Sequence, residues 1–251
     1  MEVAEPVLSG RGLAMNFGGF MAVRDVDIDI HKGQIHALIG PNGAGKSTLL
    51  NILGGQLRHT AGEVRLLGRS LGHSTPHTRA RLGIGRAFQL TSVVPGFSCL
   101  ENVVLAVEAR HRILGLLRPA SSRADLEYAQ ELLELVHLGD SSAMPADALG
   151  HGRQKQLELA IALGGRPRLL LLDEPASGLS GHERQSLGEL LQSIAERATI
   201  VMAEHDVGLV RRVATRVTAF SLGLKVAEGT AAEVFQAPEV RAVFLRGEGG
   251  C

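Results

Sequence analysis

Tryptophan is absent from the 251 residues and tyrosine occurs once, so aromatic side chains make up only 3% of the chain. A core of this length has to be built from leucine, valine, isoleucine and alanine. Cysteine occurs twice, as Cys99 and Cys251, with neither metal-ligand spacing nor a partner pattern. That excludes a disulfide framework and leaves one buried apolar cysteine and one loose terminal thiol. Net charge is missing too: 26 Lys and Arg balance 26 Asp and Glu. A neutral chain is not built to wrap nucleic acid or coat an anionic membrane, although a local basic patch remains open. No window approaches the roughly 18 consecutive apolar residues of a membrane-spanning helix. The opening Met1-Glu2-Val3-Ala4-Glu5 lacks the basic-then-apolar order of a signal peptide, which points to a cytoplasmic chain.

What is present is a globular composition, 45% hydrophobic and 21% charged, with a mean hydropathy of +0.12. This excludes a disordered chain, and the length suits one large domain or one domain with a sizeable subdomain. Val26, Ile28 and Ile30 alternate with Asp25, Asp27 and Asp29, the period of a strand with one wet face. A second apolar run, Ile35 to Ile39, meets a glycine-rich loop. Behind it Leu49, Leu50, Ile52, Leu53 and Leu57 have the spacing of an amphipathic helix. Leu169 to Leu172 and Thr199 to Ala203 are continuous apolar runs, as expected of central parallel strands covered on both faces. Between these parts, from about Leu90 to Leu149, the texture is helical. Ser122-Arg123-Ala124-Asp125 resembles a capping box, with Leu126, Ala129, Leu133 and Val136 at helical spacing behind it. The inferred architecture is an α/β core interrupted by a small helical subdomain.

Gly40-Pro41-Asn42-Gly43-Ala44-Gly45-Lys46-Ser47-Thr48 satisfies the phosphate-loop pattern G-x-x-x-x-G-K-[ST]. Glycines let backbone N–H groups close around phosphate oxygens, and the following helix N-terminus adds partial positive charge. Lys46 would reach the β and γ phosphates, and Ser47 would offer a hydroxyl to Mg²⁺. From the composition, roughly 0.006 chance matches are expected. Such a loop needs a carboxylate at the end of a buried strand, and Leu169 to Leu172 run into Asp173-Glu174-Pro175. Asp173 is placed to hold the metal through water, and Glu174 to polarise the water that attacks the γ-phosphate.

With these motifs, further segments resemble one superfamily, the ATP-binding subunits of ABC transporters, over nearly the whole chain. Gly83-Ile84-Gly85-Arg86-Ala87-Phe88-Gln89 resembles that family's Q-loop, which implies that Gln89 bridges Mg²⁺ and the attacking water. Leu149-Gly150-His151-Gly152-Arg153 occupies the place of the signature motif, with a helix beginning near Gln154. Ser177-Gly178-Leu179-Ser180 stands where the D-loop is expected. Ala203-Glu204-His205-Asp206 resembles the switch region, with His205 as the γ-phosphate sensor, and Phe17 fits the aromatic that stacks on adenine. Phe17-Gly18-Gly19, Phe88-Gln89-Leu90-Thr91, Leu100-Glu101-Asn102-Val103 and Glu204-His205-Asp206 narrow the resemblance to the ATPases of branched-chain amino acid importers and their relatives for urea and short amides.

The resemblance implies a P-loop NTPase core with a mixed sheet over residues 1–89 and 151–251, and an inserted helical subdomain over 90–150 ending in the signature. It implies an ATPase using ATP and Mg²⁺ that pairs head to tail with a second ATPase subunit, identical or different. The pair would energise integral membrane permease subunits at the cytoplasmic face of the membrane, and through them work with an external solute-binding protein. Docking is expected around Leu90 to Phe97, where Val93, Val94 and Phe97 form an apolar patch. No nucleic-acid partner is expected. The alternatives are an ATPase of another ABC system such as lipopolysaccharide export, or a soluble or non-hydrolysing ABC regulator. Two departures bear on turnover: Gly150, with Arg153, in the signature, where the family usually carries Ser and often Gln or Glu, and Ser180 in place of the D-loop acid.

Overall fold

The computed structural model describes residues 5–88, 93–113 and 122–247, and only the backbone for 111–113 and 243–247. Gln89, Leu90, Thr91 and Ser92 of the expected Q-loop and docking segment, and Cys251, lie outside the described residues. The first half of the chain folds as β1 (Leu8–Phe17), β2 (Phe20–Ile30), β3 (Ile35–Ile39), α1 (Lys46–Gly54), β4 (Ala61–Leu66), β5 (Arg69–Ser70), α2 (Pro76–Arg81) and β6 (Ile84–Ala87). Helices α3 (Cys99–Ile113), α4 (Arg123–Leu135) and α5 (His151–Gly164) follow. The chain then alternates through β7 (Leu169–Asp173), α6 (Gly181–Ala195), β8 (Thr199–Ala203), α7 (Val207–Val213), β9 (Arg216–Ser221) and β10 (Leu224–Gly229), and ends in α8 (Ala231–Gln236) and α9 (Pro238–Gly247).

Two sheets result. A six-stranded sheet has the order β10-β9-β3-β8-β7-β6, parallel throughout except for β10 at one edge. A four-stranded antiparallel sheet has the order β2-β1-β4-β5. The continuous apolar runs are divided by the period of two, so that each strand feeds both faces. Leu169, Leu171, Val201 and Ala203 join Leu38, α1 and the antiparallel sheet in one core. Leu170, Leu172, Ile200, Met202, Ile35 and Ala37 join the core formed with α3, α4, α5 and α6. Being covered on both faces, the central strands offer a fixed edge from which the loops of the site depart.

Several local expectations are altered by backbone and capping chemistry. Helix α1 stops at Gly54 instead of running to Leu57, because Gly55 takes φ 80°, and its N–H bonds back to the Asn51 and Ile52 carbonyls. The end is sealed by Arg79, which is 1% exposed and donates through Nη1 to Ile52 O and Leu53 O, both at 2.6 Å. Burial pulls its guanidinium down to about 10. Ser122 does cap α4, accepting from the Asp125 N–H, but Leu126 is 41% exposed, outside the packed stripe of Ala129, Leu132 and Leu133. Helix α5 starts at His151, three residues before Gln154. Cys99 is fully buried. Val94 and Phe97 are exposed, while Val93 packs partly against the core.

Candidate nucleotide site

The glycine-rich loop joins β3 to α1, and its glycines are required by shape. Gly40 has φ 146° and Gly45 φ 103°, and a Cβ at either would run into a carbonyl, of Phe220 or of Ala22. Lys46, the first residue of α1, is 5% exposed and folds back onto its own loop, donating to Gly40 O at 2.7 Å and Pro41 O at 3.0 Å. Burial lowers its pKa, against the pull of Glu174, Asp173 and Glu204. Ser47 Oγ donates to Asp173 Oδ1 at 2.9 Å, which brings the loop hydroxyl and the strand-end carboxylate together. The other oxygen of Asp173 accepts from Arg86 Nη2 at 3.3 Å, both side chains being nearly buried. Arg86 Nε and Nη1 are buried without a partner, and burial lowers the guanidinium pKa.

Glu174 follows Asp173 in a left-handed conformation at φ 49°, its N–H still bonded to Ala203 O at 2.9 Å. Its carboxylate stands 3.8 Å from His205 Nδ1. Glu204, fully buried beside them, accepts from the backbone N–H groups of Ala176, His205 and Asp206. A pocket of about 200 Å³ is lined by Phe17, Phe20, Ala22, Asn42, Gly43, Ala44, Gly45, Lys46, Ser47, Thr48 and Glu174. Phe17 and Phe20 are 46% and 61% exposed and sit directly opposite each other across the Gly18-Gly19 turn, a placement that puts both side chains on one face of the hairpin.

The signature segment lies elsewhere. Leu149 is buried, and Gly150 is the N-cap of α5 with open space where a Cβ would stand. His151 packs on Gly178, Gly152 lies against the Glu183 carboxylate, and Arg153 donates to Ser141 Oγ at 2.8 Å. None of these five residues lines the pocket around Lys46. Ser180 caps α6, accepting from the Glu183 N–H while the Glu183 carboxylate accepts from the Ser180 N–H. The serine that stands in place of the D-loop acid thus serves the capping box of α6.

A family model described as ABC transporter matches residues 23–177. The chain belongs to the ABC transporter family. The high-affinity branched-chain amino acid transport ATP-binding protein BraF of Pseudomonas aeruginosa is 35% identical over 253 residues, covering 97% of this chain and 99% of BraF. A solved ATP-binding cassette of an ABC transporter in its ADP conformation matches with a TM-score of 0.85 at 25% identity, over 95% of this chain and 98% of the cassette. A dimeric bacterial ABC transporter cassette matches with a TM-score of 0.77 at 25% identity, over 89% and 98% of the two chains. This ABC ATPase therefore binds and hydrolyses ATP.

In this ABC ATPase four residues escape sequence reasoning although the structure brings them to the site. Phe20 was signalled by the symmetric Phe-Gly-Gly-Phe hairpin, and Arg86 and Glu204 stood inside motifs that drew attention to their neighbours. Lys155, on α5, carried no signal. It donates to Pro175 O at 3.1 Å and Glu174 O at 3.4 Å, and lies 4.9 Å from the centre of the Phe88 ring, which joins α5 to the loop of Glu174.

Proposed function

We propose that this ATPase energises the import of branched-chain amino acids or related small amides, working on the cytoplasmic face of the membrane through permease subunits and an external solute-binding protein. The end-to-end similarity to BraF supports the choice of solute. Among the described residues no helix is long and apolar enough to cross a membrane. The exposed Val94 and Phe97 support docking near the 90–97 segment. A groove of about 1090 Å³ lies beside β6, α3 and the end of α1, with Arg69, Arg81, Arg110, Arg166 and Arg168 along it, and none of residues 93–97 lines it.

The observation that carries the catalytic assignment is the meeting of Lys46, Ser47, Asp173 and Glu174 at one glycine-rich loop. Lys46 would exchange its carbonyl partners for phosphate oxygens, and Phe17 would stack on the adenine. The hard oxygen donors of Ser47 and Asp173, already in contact, fit Mg²⁺, with Gln89 as a further ligand. The metal would screen charge on the phosphates. Glu174 would accept a proton from the attacking water, and His205 would sense the γ-phosphate.

The pocket of about 200 Å³ is smaller than the roughly 300 Å³ at which small-molecule sites begin. With the signature outside it, the arrangement supports a head-to-tail pair in which Gly150 and its neighbours complete the site of a second ATPase, identical or different. Glu174→Gln tests the assignment. It should keep ATP affinity and lose at least about 100-fold in steady-state hydrolysis. Undiminished hydrolysis removes Glu174 from the role. Recovery of permease subunits with the chain from native membranes tests the transport setting.

A further inference from the structure

We propose that Glu204 is a positioning residue for hydrolysis, tying the loop that carries Glu174 to the loop that carries His205. The proposal rests on the reading of Glu174 as the base. Strands β7 and β8 are parallel neighbours whose last paired residues are Asp173 and Ala203, and beyond that pair the regular ladder stops. The Glu174 N–H still reaches Ala203 O, but the next backbone donors have no strand to bond to. The Glu204 carboxylate takes three of them. One oxygen accepts from Ala176 at 2.8 Å, and the other from His205 at 2.8 Å and Asp206 at 2.9 Å.

Glu204 is itself pinned, because its own N–H donates to Leu38 O at 3.0 Å, on the strand that leads into the phosphate loop. One residue with no exposed surface thus links the segments after β7 and β8 through its carboxylate and ties them to β3 through its backbone N–H. Its requirement is unusually specific. Two acceptor oxygens face donors on two different loops, so an amide, with one oxygen and one NH₂, can serve only one loop and turns a donor toward the other. Aspartate, one methylene shorter, loses the reach. A buried carboxylate that merely satisfied its surroundings would make no distinction between binding and turnover.

The experiment compares Glu204→Gln, His205→Ala and the double variant in the full chain, within the permease complex proposed above. ATP binding is measured by calorimetry, kcat and KM from steady-state hydrolysis, and Tm by thermal unfolding. The expected result for Glu204→Gln is ATP affinity within 3-fold of the parent and kcat lowered at least 10-fold with KM little changed. His205→Ala should then cost much less in the Glu204→Gln background than in the parent, because the histidine has already lost its fixed loop. A kcat within 2-fold of the parent overturns the proposal, as do independent, multiplicative losses in the double variant. A Glu204→Gln chain that does not fold, or that loses ATP binding in proportion to turnover, assigns Glu204 to stability alone and overturns it as well. Glu174→Gln is measured alongside: if that variant turns over normally the catalytic reading fails, whereas an inactive Glu174→Gln beside a fully active Glu204→Gln condemns only the role of Glu204.

Discussion

His36, the second residue of β3, makes the stability of the fold depend on mild acid. The imidazole is fully buried, with Nε2 2.7 Å from Thr218 Oγ1 and Nδ1 without a partner. Burial lowers its pKa from 6.5 to about 4; Glu228 pulls the other way, and Arg216, Lys225 and His31 add to the lowering. The folded state therefore holds this histidine neutral, while the unfolded chain takes up a proton near 6.5. Between pH 6.5 and about 4 the unfolded state binds more protons, so the stabilisation is complete above 6.5 and is lost as pH falls. At about 1.4 kcal/mol per pH decade the full loss is about 3 kcal/mol, of which about 2 kcal/mol is gone by pH 5. For a chain of this size the full loss is roughly 6–12 °C in Tm, and the part gone by pH 5 roughly 4–8 °C. The assay is urea unfolding of the full chain and of His36→Gln at pH 7.5, 6.5, 5.5 and 5. The variant keeps an amide for Thr218 but cannot titrate, so the difference between the two curves isolates His36 from the carboxylates and other histidines. Parallel pH dependences, within about 0.5 kcal/mol, would falsify the assignment.

Lys46→Ala removes the ammonium that burial and loop carbonyls hold in place, and ATP affinity measured by calorimetry should fall at least about 10-fold; unchanged affinity would sink the phosphate-loop assignment. Arg79→Ala leaves the Ile52 and Leu53 carbonyls buried without their donor and opens a void at the end of α1. It should cost about 3 kcal/mol in urea unfolding, and a cost below about 1 kcal/mol would mean that water replaces the guanidinium. Gly150→Ser meets open space, so it should fold with unchanged Tm and speed hydrolysis at the site of the partner ATPase. If the partner is a different chain, single-turnover kinetics should show one site accelerated; no change at either site makes Gly150 a tolerated small residue.

The strand, glycine-rich loop and helix around Lys46, the strand ending in Asp173-Glu174 and the alternating strand of Val26, Ile28 and Ile30 were legible because their information is local. Phosphate binding demands particular residue types at fixed spacing, and burial on one face or both leaves a two-residue rhythm or a continuous run. The separate antiparallel sheet was not legible, since the pairing of β1 with both β2 and β4 is decided by packing over long separations. The end of α1 at Gly54 was signalled by Gly54-Gly55 but masked by Leu57, which still packs against the core from beyond the helix. Leu126 kept the helical period and yet faces outward, because α4 has neighbours on only part of its surface. Ser180 looked like a lost acid when compared with a motif, whereas its side chain answers to the first turn of α6. Arg79 and Glu204 were hidden for a common reason: a charged residue in a sequence reads as surface, and only the positions of distant carbonyls and N–H groups show that it can be satisfied inside.

The order β3-β8-β7 acts as a ruler across the site. The glycine-rich loop leaves one end of this trio and Asp173-Glu174 the other, with His205 hanging from the strand between them. Strand spacing is set by the peptide ladder at about 4.8 Å, so the outer two edges stand about 10 Å apart whatever side chains they carry. Substitutions in the core can loosen or stiffen the strands but cannot rescale that gauge. Divergence in turnover among chains built this way is therefore channelled into the overhanging loops and the helices that press on them, while the separation of the glycine-rich loop from Asp173-Glu174 is inherited unchanged.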